Sequence, residues 1–391
     1  MSSDDPVVRD FFLSSKHADI SGPWRPASIR DQSVRACLVV DRAIRNGWIS
    51  KDLPLVIVGA GVAGVTAAVL ARSHGIPVTI FERNKPLGVL SESSRWVDPL
   101  AYDWPHSWWT QGSFPVANAG WPISIEAGEA RTIALQFADL LFRDPTIQLI
   151  PAEIREIRAL VDSVPFGLVF DCRGVKAERL VHGPVAGPAF WDRRHPRMLA
   201  EQMAENLGRP LRVLISGGGD AAIQDFLLLA TGVKSIVELA QTVGISTSPS
   251  PGSRIDLAVF EREALSIEER CWRELCWLDP RDAVSESRIC GILDDFYRTN
   301  AERFGLSPLP CSPVSCEFTV VRLAGFHTIC YPLNRLLGIL ADNQYRPRVL
   351  DRMPASFEGY DLVLIRHGVE IEKNSRFVAR RQSLPFACAL Q

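Results

Sequence analysis

The pattern of apolar and polar positions changes character at residue 53. Before it, apolar residues recur at helical spacing in two stretches, 7–13 and 34–49, which are separated by the loop-like segment SGPWRPAS. From residue 53 onward, short continuous apolar runs alternate with helical patterns. The chain is therefore predicted to begin with a helical extension and to continue as α/β structure with buried parallel strands.

Two stretches of the chain predict βαβ units. In the first, the strand LVIVG leads into the helical AGVTAAVLARSHG, which ends at Gly75 as at a C-terminal cap, and PVTIFE is the next strand. In the second, LRVLISGGG leads into a helix that runs to about Gly232, and SIVELA is the predicted returning strand. Two such units predict two nucleotide-binding domains.

Further apolar strands at 167–175 and 360–368, each followed by glycine, are assigned to the first domain on either side of the second unit. The predicted fold class is α/β, with two Rossmann-like dinucleotide-binding domains, the second inserted in the first. The expected boundaries are 1–52 for the N-terminal helical extension, 53–190 and 331–391 for the first domain, and 191–330 for the second domain with a helical segment.

Composition narrows the possible partners. The chain has 391 residues, 47% of them apolar, and a net charge of −2 with scattered Lys and Arg, so we expect no nucleic-acid partner. The acidic N-terminus and the lack of an apolar run of about 20 residues predict no membrane span and a cytoplasmic protein. Of the nine cysteines, the pairs Cys271–Cys276 and Cys311–Cys316 have a spacing that is loose for a zinc site, and no histidine stands nearby in the pattern of a finger, so no metal site is predicted.

The motif G-x-G-x-x-G occurs once between a predicted strand and a predicted helix, at Gly59, Gly61 and Gly64. The first glycine makes the tight turn, the second leaves room for a pyrophosphate, and the third lets the helix approach the sheet. The backbone amides of Val62 and Ala63 are then expected at the positive end of the helix dipole, where they favour an anion.

An acidic residue follows at the expected distance. Glu82 ends the second predicted strand, 23 residues after Gly59, where a carboxylate accepts hydrogen bonds from a ribose and repels the 2′-phosphate of NADP. The motif therefore predicts a bound adenine dinucleotide. NAD and FAD use the same turn, and the motif alone leaves both open.

The stretch VIVGAGVAGVTAAVLARSHGIPVTIFERN resembles the N-terminal motif of FAD-dependent oxidoreductases, in which the second strand ends in Glu-Arg, here Glu82-Arg83. This resemblance implies FAD as the cofactor of the first domain. It also implies that Arg83 belongs to the cofactor-binding residues.

The second motif, LISGGGDAAIQDFLLLA, resembles the NAD(P)-domain motif of two-dinucleotide-domain flavoproteins such as thioredoxin reductases and related monooxygenases. Gly217, Gly219 and Ala222 have G-x-G-x-x-A spacing, and Asp220 follows the third glycine as in that family. The resemblance implies NAD(P)H as the second cofactor, with Gly217, Gly219 and Asp220 in its site. Glu238, near the end of the predicted next strand, favours NADH over NADPH.

The chain departs from that family at three places. It has no Cys-x-x-Cys, which argues against dithiol chemistry. Cys172-Arg173-Gly174 stands where the family has Ala-Thr-Gly, and no Gly-Asp follows residue 220. The C-terminal strand ends instead in Arg366-His367-Gly368, which either approaches a cofactor or closes the sheet.

No catalytic residue can be named from the sequence. The segment YDWPHSWWTQGSF, 102–114, contains three tryptophans with Tyr102, Asp103 and His106, and it is either a wall near a flavin or a packing corner. CWRELCW, 271–277, is read as core, and RRHPR, 193–197, as a solvated turn between the domains or a pyrophosphate contact. His367 is either near the flavin or a core histidine.

Taken with the resemblance, these motifs predict an FAD-dependent oxidoreductase that uses NAD(P)H to reduce a small molecule or oxygen, in the manner of a monooxygenase. The alternative is a non-catalytic sensor or accessory protein that keeps the glycine turns and binds dinucleotides without turnover.

Overall fold

The structure is a computed structural model, and it divides the chain into two units. The first unit contains the described residues up to 174 and the second contains those from 178 onward. The residues that the structure describes are 8–9, 11–21, 29–97, 127–164, 167–174, 178–205, 207–246, 255–256, 263, 266–267, 283–303, 305–321, 330 and 332–367.

The described part of the first unit contains eight strands and five helices. Its strands are β1 (Phe12–Ser14), β2 (His17–Asp19), β3 (Leu55–Val58), β4 (Val78–Glu82), β5 (Trp96–Val97), β6 (Gly128–Glu129), β7 (Gln148–Pro151) and β8 (Leu168–Asp171). Its helices are α1 (Ile29–Arg45), α2 (Val62–Ser73), α3 (Gly88–Ser91), α4 (Ala130–Arg143) and α5 (Ile157–Ser163).

Six of these strands form one sheet in the order β1-β2-β8-β3-β4-β7, in which every pair except β1–β2 is parallel. All residues of β3 and β8 are buried, as expected for parallel strands covered on both faces. Ile157 of α5 packs against Val56, Val58 and Val169. Helices α1 and α2 pack on each other, and α2 also packs on α4.

The described part of the second unit contains a second parallel sheet. Its strands are β9 (Val181–His182), β10 (Val185–Ala186), β11 (Leu211–Ser216), β12 (Ile245–Ser246), β13 (Ile255–Asp256), β14 (Cys316–Val321), β15 (Arg348–Leu350) and β16 (Leu362–Ile365). Its helices are α6 (Pro196–Ala204), α7 (Asp220–Thr231), α8 (Ile236–Val243), α9 (Ala283–Arg303) and α10 (Pro332–Tyr345). The order of the main sheet is β15-β14-β11-β16, and every pair is parallel.

Both sheets repeat one arrangement of strands. The strand before the glycine turn, β3 or β11, has the next two sheet strands on one side, β4 and β7 or β14 and β15. The fourth strand, β8 or β16, lies on its other side. This is the strand order 3-2-1-4 of a Rossmann-like unit. The predicted α/β class with two Rossmann-like units is confirmed.

The predicted insertion of one domain in the other is corrected by the pairing of β16. This strand lies beside β11, with Val213 opposite Leu362 and Ser216 opposite Ile365, so the C-terminal strand belongs to the second unit. The described residues of 178–190 belong to the second unit as well. An apolar strand followed by glycine fits either sheet, and the sequence pattern therefore could not decide between them.

Two shorter predictions are also corrected. The helix predicted at 7–13 is wrong for its second half, because Phe12–Ser14 is a strand and β2 extends the first sheet. The returning strand predicted at SIVELA is helix α8, in which Ser235 caps the N-terminus by accepting a hydrogen bond from the Glu238 backbone amide. Its apolar residues are buried at helical spacing.

The predicted helix ends are confirmed at both glycines. Gly75 follows α2 with φ +74°, and its amide donates to the carbonyl oxygen of Arg72. Gly232 caps α7 in the left-handed conformation. No single helix among the described residues is long and apolar enough to cross a membrane, although α7 and α8 together, bent by 60°, have sufficient length and apolarity.

Candidate functional site

The first glycine turn lies between β3 and α2, and two of its glycines are required by close backbone contacts. Gly59 has φ +103°, and a Cβ there would lie 2.7 Å from the carbonyl oxygen of Cys172. A Cβ on Gly64 would lie 1.9 Å from the carbonyl oxygen of Gly59. These glycines therefore hold the helix and the neighbouring strand close to the turn.

Gly61 differs from both, because nothing in the described structure lies within 4 Å of the place where its Cβ would be. Its φ of −78° is accessible to other residues, so the space in front of it, and not backbone strain, sets this glycine apart. Gly61 is the N-cap of α2 and makes no side-chain capping bond. The first-turn amides of Val62, Ala63 and Gly64 thus face a helix mouth suited to an anion.

Glu82 lies directly beside this turn. Its Oε2 accepts a hydrogen bond from the backbone amide of Ala60 at 2.7 Å, and its Oε1 accepts one from Asn84 at 2.8 Å. The side chain is half-buried at the carboxyl end of β4. The structure therefore brings Glu82 together with Gly59, Gly61 and Gly64, as the spacing predicts.

Arg83 is placed differently from the predicted cofactor-binding residues. Its guanidinium forms an ion pair with Glu153 at 3.4 Å, and both side chains are largely exposed. The pKa of the Glu153 carboxyl is lowered mainly by its hydrogen bond with Arg155, and Arg83 contributes less. Arg83 thus takes part in a surface ion pair at the end of β7, and its role in cofactor binding stays a prediction.

On the other side of the turn, the end of β8 carries an internal ion pair. Arg173 donates from Nε to Oδ1 and from Nη2 to Oδ2 of the buried Asp171, and this hydrogen bonding raises the pKa of Arg173. The Cys172 thiol is buried, and burial, followed by Asp171 and Asp19, raises its pKa well above 9.0. A thiol in this state is a poor nucleophile at neutral pH.

The second glycine turn lies between β11 and α7. Gly217 has φ +141°, and a Cβ there would lie 2.3 Å from the carbonyl oxygen of Arg366. Gly219 is the N-cap of α7 and, like Gly61, makes no side-chain capping bond. This turn therefore reproduces the arrangement at Gly59, with the end of β16 in the place of the end of β8.

Asp220, the first residue of α7, is directed toward α10. Its Oδ1 accepts a hydrogen bond from Nδ2 of the fully buried Asn334 at 2.7 Å. The Cys330 thiol donates to the carbonyl oxygen of Gly218 at 3.3 Å. Asp220 thus helps to attach α10 to the glycine turn, and its predicted contact with a cofactor stays a prediction.

The end of β16 is fixed by a buried ion pair that sequence reasoning missed. Arg366 Nε lies 2.7 Å from Asp225 Oδ2, and both side chains are almost completely buried. Arg366 also donates to the carbonyl oxygen of Pro188 at 2.6 Å. The available signal was Asp225 itself, an acidic residue within the apolar helix DAAIQDFLLLA.

His367 comes next to this ion pair and closes the second sheet. Its Nε2 shares a hydrogen bond with Oγ of Ser216 at 2.6 Å. Burial lowers the pKa of His367 below 6.5, and His182 and Arg179 lower it further. The end of this strand therefore lies in the second sheet, beside the second glycine turn, and its approach to a cofactor stays a prediction.

Two other sequence interpretations change. Glu238 lies in the first turn of α8 and accepts a hydrogen bond from the Lys234 amide, so it no longer supports NADH over NADPH. In RRHPR, His195 caps α6 by accepting from the Arg197 amide, and Arg197 donates to the carbonyl oxygen of Gly232. His195-Pro196, with proline at the first helical position, was the signal of a helix start.

Three sequence candidates lie outside the described residues, namely the segment 102–114 with Tyr102, Asp103 and His106, the segment 271–277, and Gly368. Within the described ranges, no three His, Cys, Asp or Glu side chains lie together in a way that could hold a metal ion.

Comparison with known proteins addresses the first turn directly. Residues 57–119 match the family described as NAD(P)-binding Rossmann-like domain. The matched region is the part of the chain that forms the first glycine turn. It contains Gly59, Gly61, Gly64 and Glu82, and so it covers the open helix mouth and the neighbouring carboxylate. No curated protein matches the chain significantly.

Two solved structures are distantly similar to the chain. One is OTEMO in complex with FAD and NADP, with a TM-score of 0.39 and 12% identity, covering 82% of this chain and 72% of that one. The other is 6-hydroxypseudooxynicotine amine oxidase from Pseudomonas geniculata N1, with a TM-score of 0.30 and 13% identity, covering 85% of this chain and 37% of that one.

Proposed function

We propose that the protein is an FAD-dependent oxidoreductase that takes hydride from NAD(P)H and passes electrons to a small molecule or to oxygen. The observation that carries the proposal is the open helix mouth at Gly61 with the Glu82 carboxylate beside it. The matched Rossmann-like region covers both residues.

The residues at the first turn fit the adenosine and diphosphate portions of FAD. The amides of Val62 and Ala63 would hold the diphosphate, and the absence of a side chain at Gly61 gives the phosphates access. Glu82 would accept hydrogen bonds from the adenosine ribose. When bound, FAD supplies the redox chemistry, and the chain binds and orients it.

The second turn supports a nicotinamide nucleotide as electron donor. It has the same strand order, a glycine N-cap and a helix of 12 residues, so it offers a second anion site of the same type. Because Glu238 lies in a helix, no described residue selects NADH, and both nicotinamide nucleotides are donors in the proposal. The lack of Cys-x-x-Cys makes oxygen or a small molecule a better acceptor than a disulfide.

A specific observation supports the non-catalytic alternative. β16, the last strand of the described chain, belongs to the second sheet, and the N-terminal strand β2 lies next to β8 in the first sheet. The chain also lacks the Gly-Asp with which related flavoproteins contact the ribityl chain. The first unit could therefore bind a dinucleotide without holding a flavin ring in a reactive position.

Reduction of the bound flavin in the purified protein distinguishes the two proposed functions. We expect the enzyme to carry or take up FAD with visible absorbance bands, and NADH or NADPH to bleach those bands under anaerobic conditions. The bands should return when oxygen or the physiological acceptor is admitted. A protein that binds FAD or ADP-ribose, but whose flavin neither nicotinamide nucleotide reduces, would instead support the non-catalytic binder.

A further inference from the structure

The Ser216–His367 pair lies at the second glycine turn. Ser216 is the last residue of β11, is fully buried, and directly precedes Gly217. The carbonyl oxygen of Arg366 lies against Gly217, and the His367 ring follows and reaches Oγ of Ser216 at 2.6 Å. The imidazole is therefore held beside the residue that leads into the second glycine turn, where a dinucleotide diphosphate is expected.

The charged groups that act on this ring are basic. The His182 ring on β9 lies 6.1 Å from the His367 ring, and Arg179 precedes that strand. Arg366, the preceding residue, is neutralised by Asp225 of α7. The groups that shift the pKa of His367 thus include two bases and no carboxylate among the described residues.

The first unit has a different arrangement at the equivalent positions. Val58 pairs with Asp171 as Ser216 pairs with Ile365, so Val58 corresponds to Ser216 and Arg173 to His367. Arg173 does not titrate near neutral pH, and its charge is matched by the Asp171 carboxylate. The first turn has a fixed, compensated charge at this position, and the second has a titratable group.

We propose that His367, held by Ser216, binds the diphosphate of a nicotinamide dinucleotide at the second glycine turn and takes up a proton as the anion binds. This inference rests on the proposed use of NAD(P)H. The N-terminus of α7 would supply backbone amides from one side, and the imidazolium would supply a charge-assisted hydrogen bond from the other.

The direction of the pH dependence follows from the state of the free protein. Burial, His182 and Arg179 lower the pKa of His367, so the free ring is mostly neutral at pH 7. A bound diphosphate favours the charged form and raises this pKa. Between the two pKa values affinity should rise as pH falls, by up to about tenfold per pH unit, and it should level off below the pKa of the free protein.

The experiment uses the full-length protein and titrates it with NADH and with ADP-ribose between about pH 5 and pH 8. Calorimetry in two buffers of different ionisation enthalpy measures the protons taken up on binding. The wild type should take up a fraction of a proton that falls toward zero at high pH. His367→Gln can keep the bond to Ser216 but cannot titrate, so its affinity should stay flat, whereas the exposed His74→Gln should behave as wild type.

NADH binding without pH dependence or proton uptake would overturn this inference and leave the proposed function intact. The same pH dependence in His367→Gln as in the wild type would overturn it as well. If the chain binds no nicotinamide nucleotide at any pH, both the inference and the proposed donor fail. If His367→Gln folds poorly, NMR of the wild type decides. The pKa of His367, measured from its imidazole resonance, must rise when ADP-ribose is added.

Discussion

The carboxylate of Glu82 and the backbone amide of Ala60 are joined by a hydrogen bond of 2.7 Å across 22 residues of sequence. The bond places the charged end of β4 against the glycine turn that follows β3. A ribose bound above this turn would meet the same carboxylate that orders the turn. Glu82 therefore orders the turn, and in the proposed function the same carboxylate binds the ribose.

Replacing Glu82 by Gln should weaken FAD binding while leaving the fold intact. The Gln oxygen can still accept from Ala60, although the bond from Asn84 is lost, and the charge-assisted hydrogen bond to the ribose disappears, at a cost of about 1.5 kcal/mol or more. This corresponds to an affinity loss of about tenfold or more. Quenching of flavin fluorescence measures it, with the exposed Glu92→Gln as control. An FAD affinity equal to that of wild type would remove Glu82 from the site.

The buried pair of Arg366 and Asp225 should be sensitive to the loss of one partner. Asp225→Asn leaves the Arg366 guanidinium buried without a counter-charge, which costs about 3–5 kcal/mol of unfolding free energy. Urea denaturation measures this loss. The double variant Asp225→Leu with Arg366→Met should recover most of it, because the uncompensated charge is gone.

The matched control is an exposed pair of the same unit. Glu317→Gln removes the partner of Arg212, at 3.5 Å, where both side chains are more than half exposed. Such a pair contributes at most about 1 kcal/mol. Equal losses for Asp225→Asn and Glu317→Gln would contradict the buried geometry.

The contact between Asp361 and Arg209 in the second unit should be sensitive to acid. Its hydrogen bond with Arg209 lowers the pKa of the Asp361 carboxyl from 3.8 to about 2. Because the folded-state pKa is the lower one, the contribution to stability is complete above 3.8 and is lost as pH falls toward about 2. Across this window, the melting temperature of Asp361→Asn should fall less with decreasing pH than that of the wild type. Identical profiles would show that the contact contributes nothing.

Gly64 should not tolerate an added side chain, whereas Gly61 should. A Cβ on Gly64 would collide with the Gly59 carbonyl oxygen, so Gly64→Ala should lower the melting temperature of the first unit or prevent its folding. Calorimetry measures this effect. A Gly64→Ala protein as stable as wild type would contradict the close approach of α2 to the turn.

The sequence predicts the first turn well because its signals are local. Gly59, Gly61, Gly64 and Glu82 lie within one βαβ unit, where the spacing alone determines which residues meet at the carboxyl edge. The helix ends at Gly75 and Gly232 are equally local, since each needs only a left-handed glycine after a helical pattern.

The remaining features depend on pairing between distant segments. The predicted place of β16 was wrong because the sequence of an apolar strand does not indicate which sheet the strand joins. The long-range pairing of Ser216 with Ile365, which the structure shows, assigns it to the second sheet. The Ser216–His367 bond depends on that pairing and could not be predicted without it. SIVELA was misread because its apolar run suits a strand, and the competing signal was the helix cap formed by Ser235 and Glu238.

Equilibrium binding of FAD to the wild type and to Gly61→Leu measures the central claim most directly. A leucine at Gly61 extends into open space and requires no strained φ, so it should fill the helix mouth without unfolding the chain. Gly128→Leu, which also meets no neighbour within 4 Å, is the matched control. The account predicts saturable binding of one FAD to the wild type and to Gly128→Leu, and none to a folded Gly61→Leu. Equal FAD affinity in all three proteins, or no binding by the wild type, would contradict it.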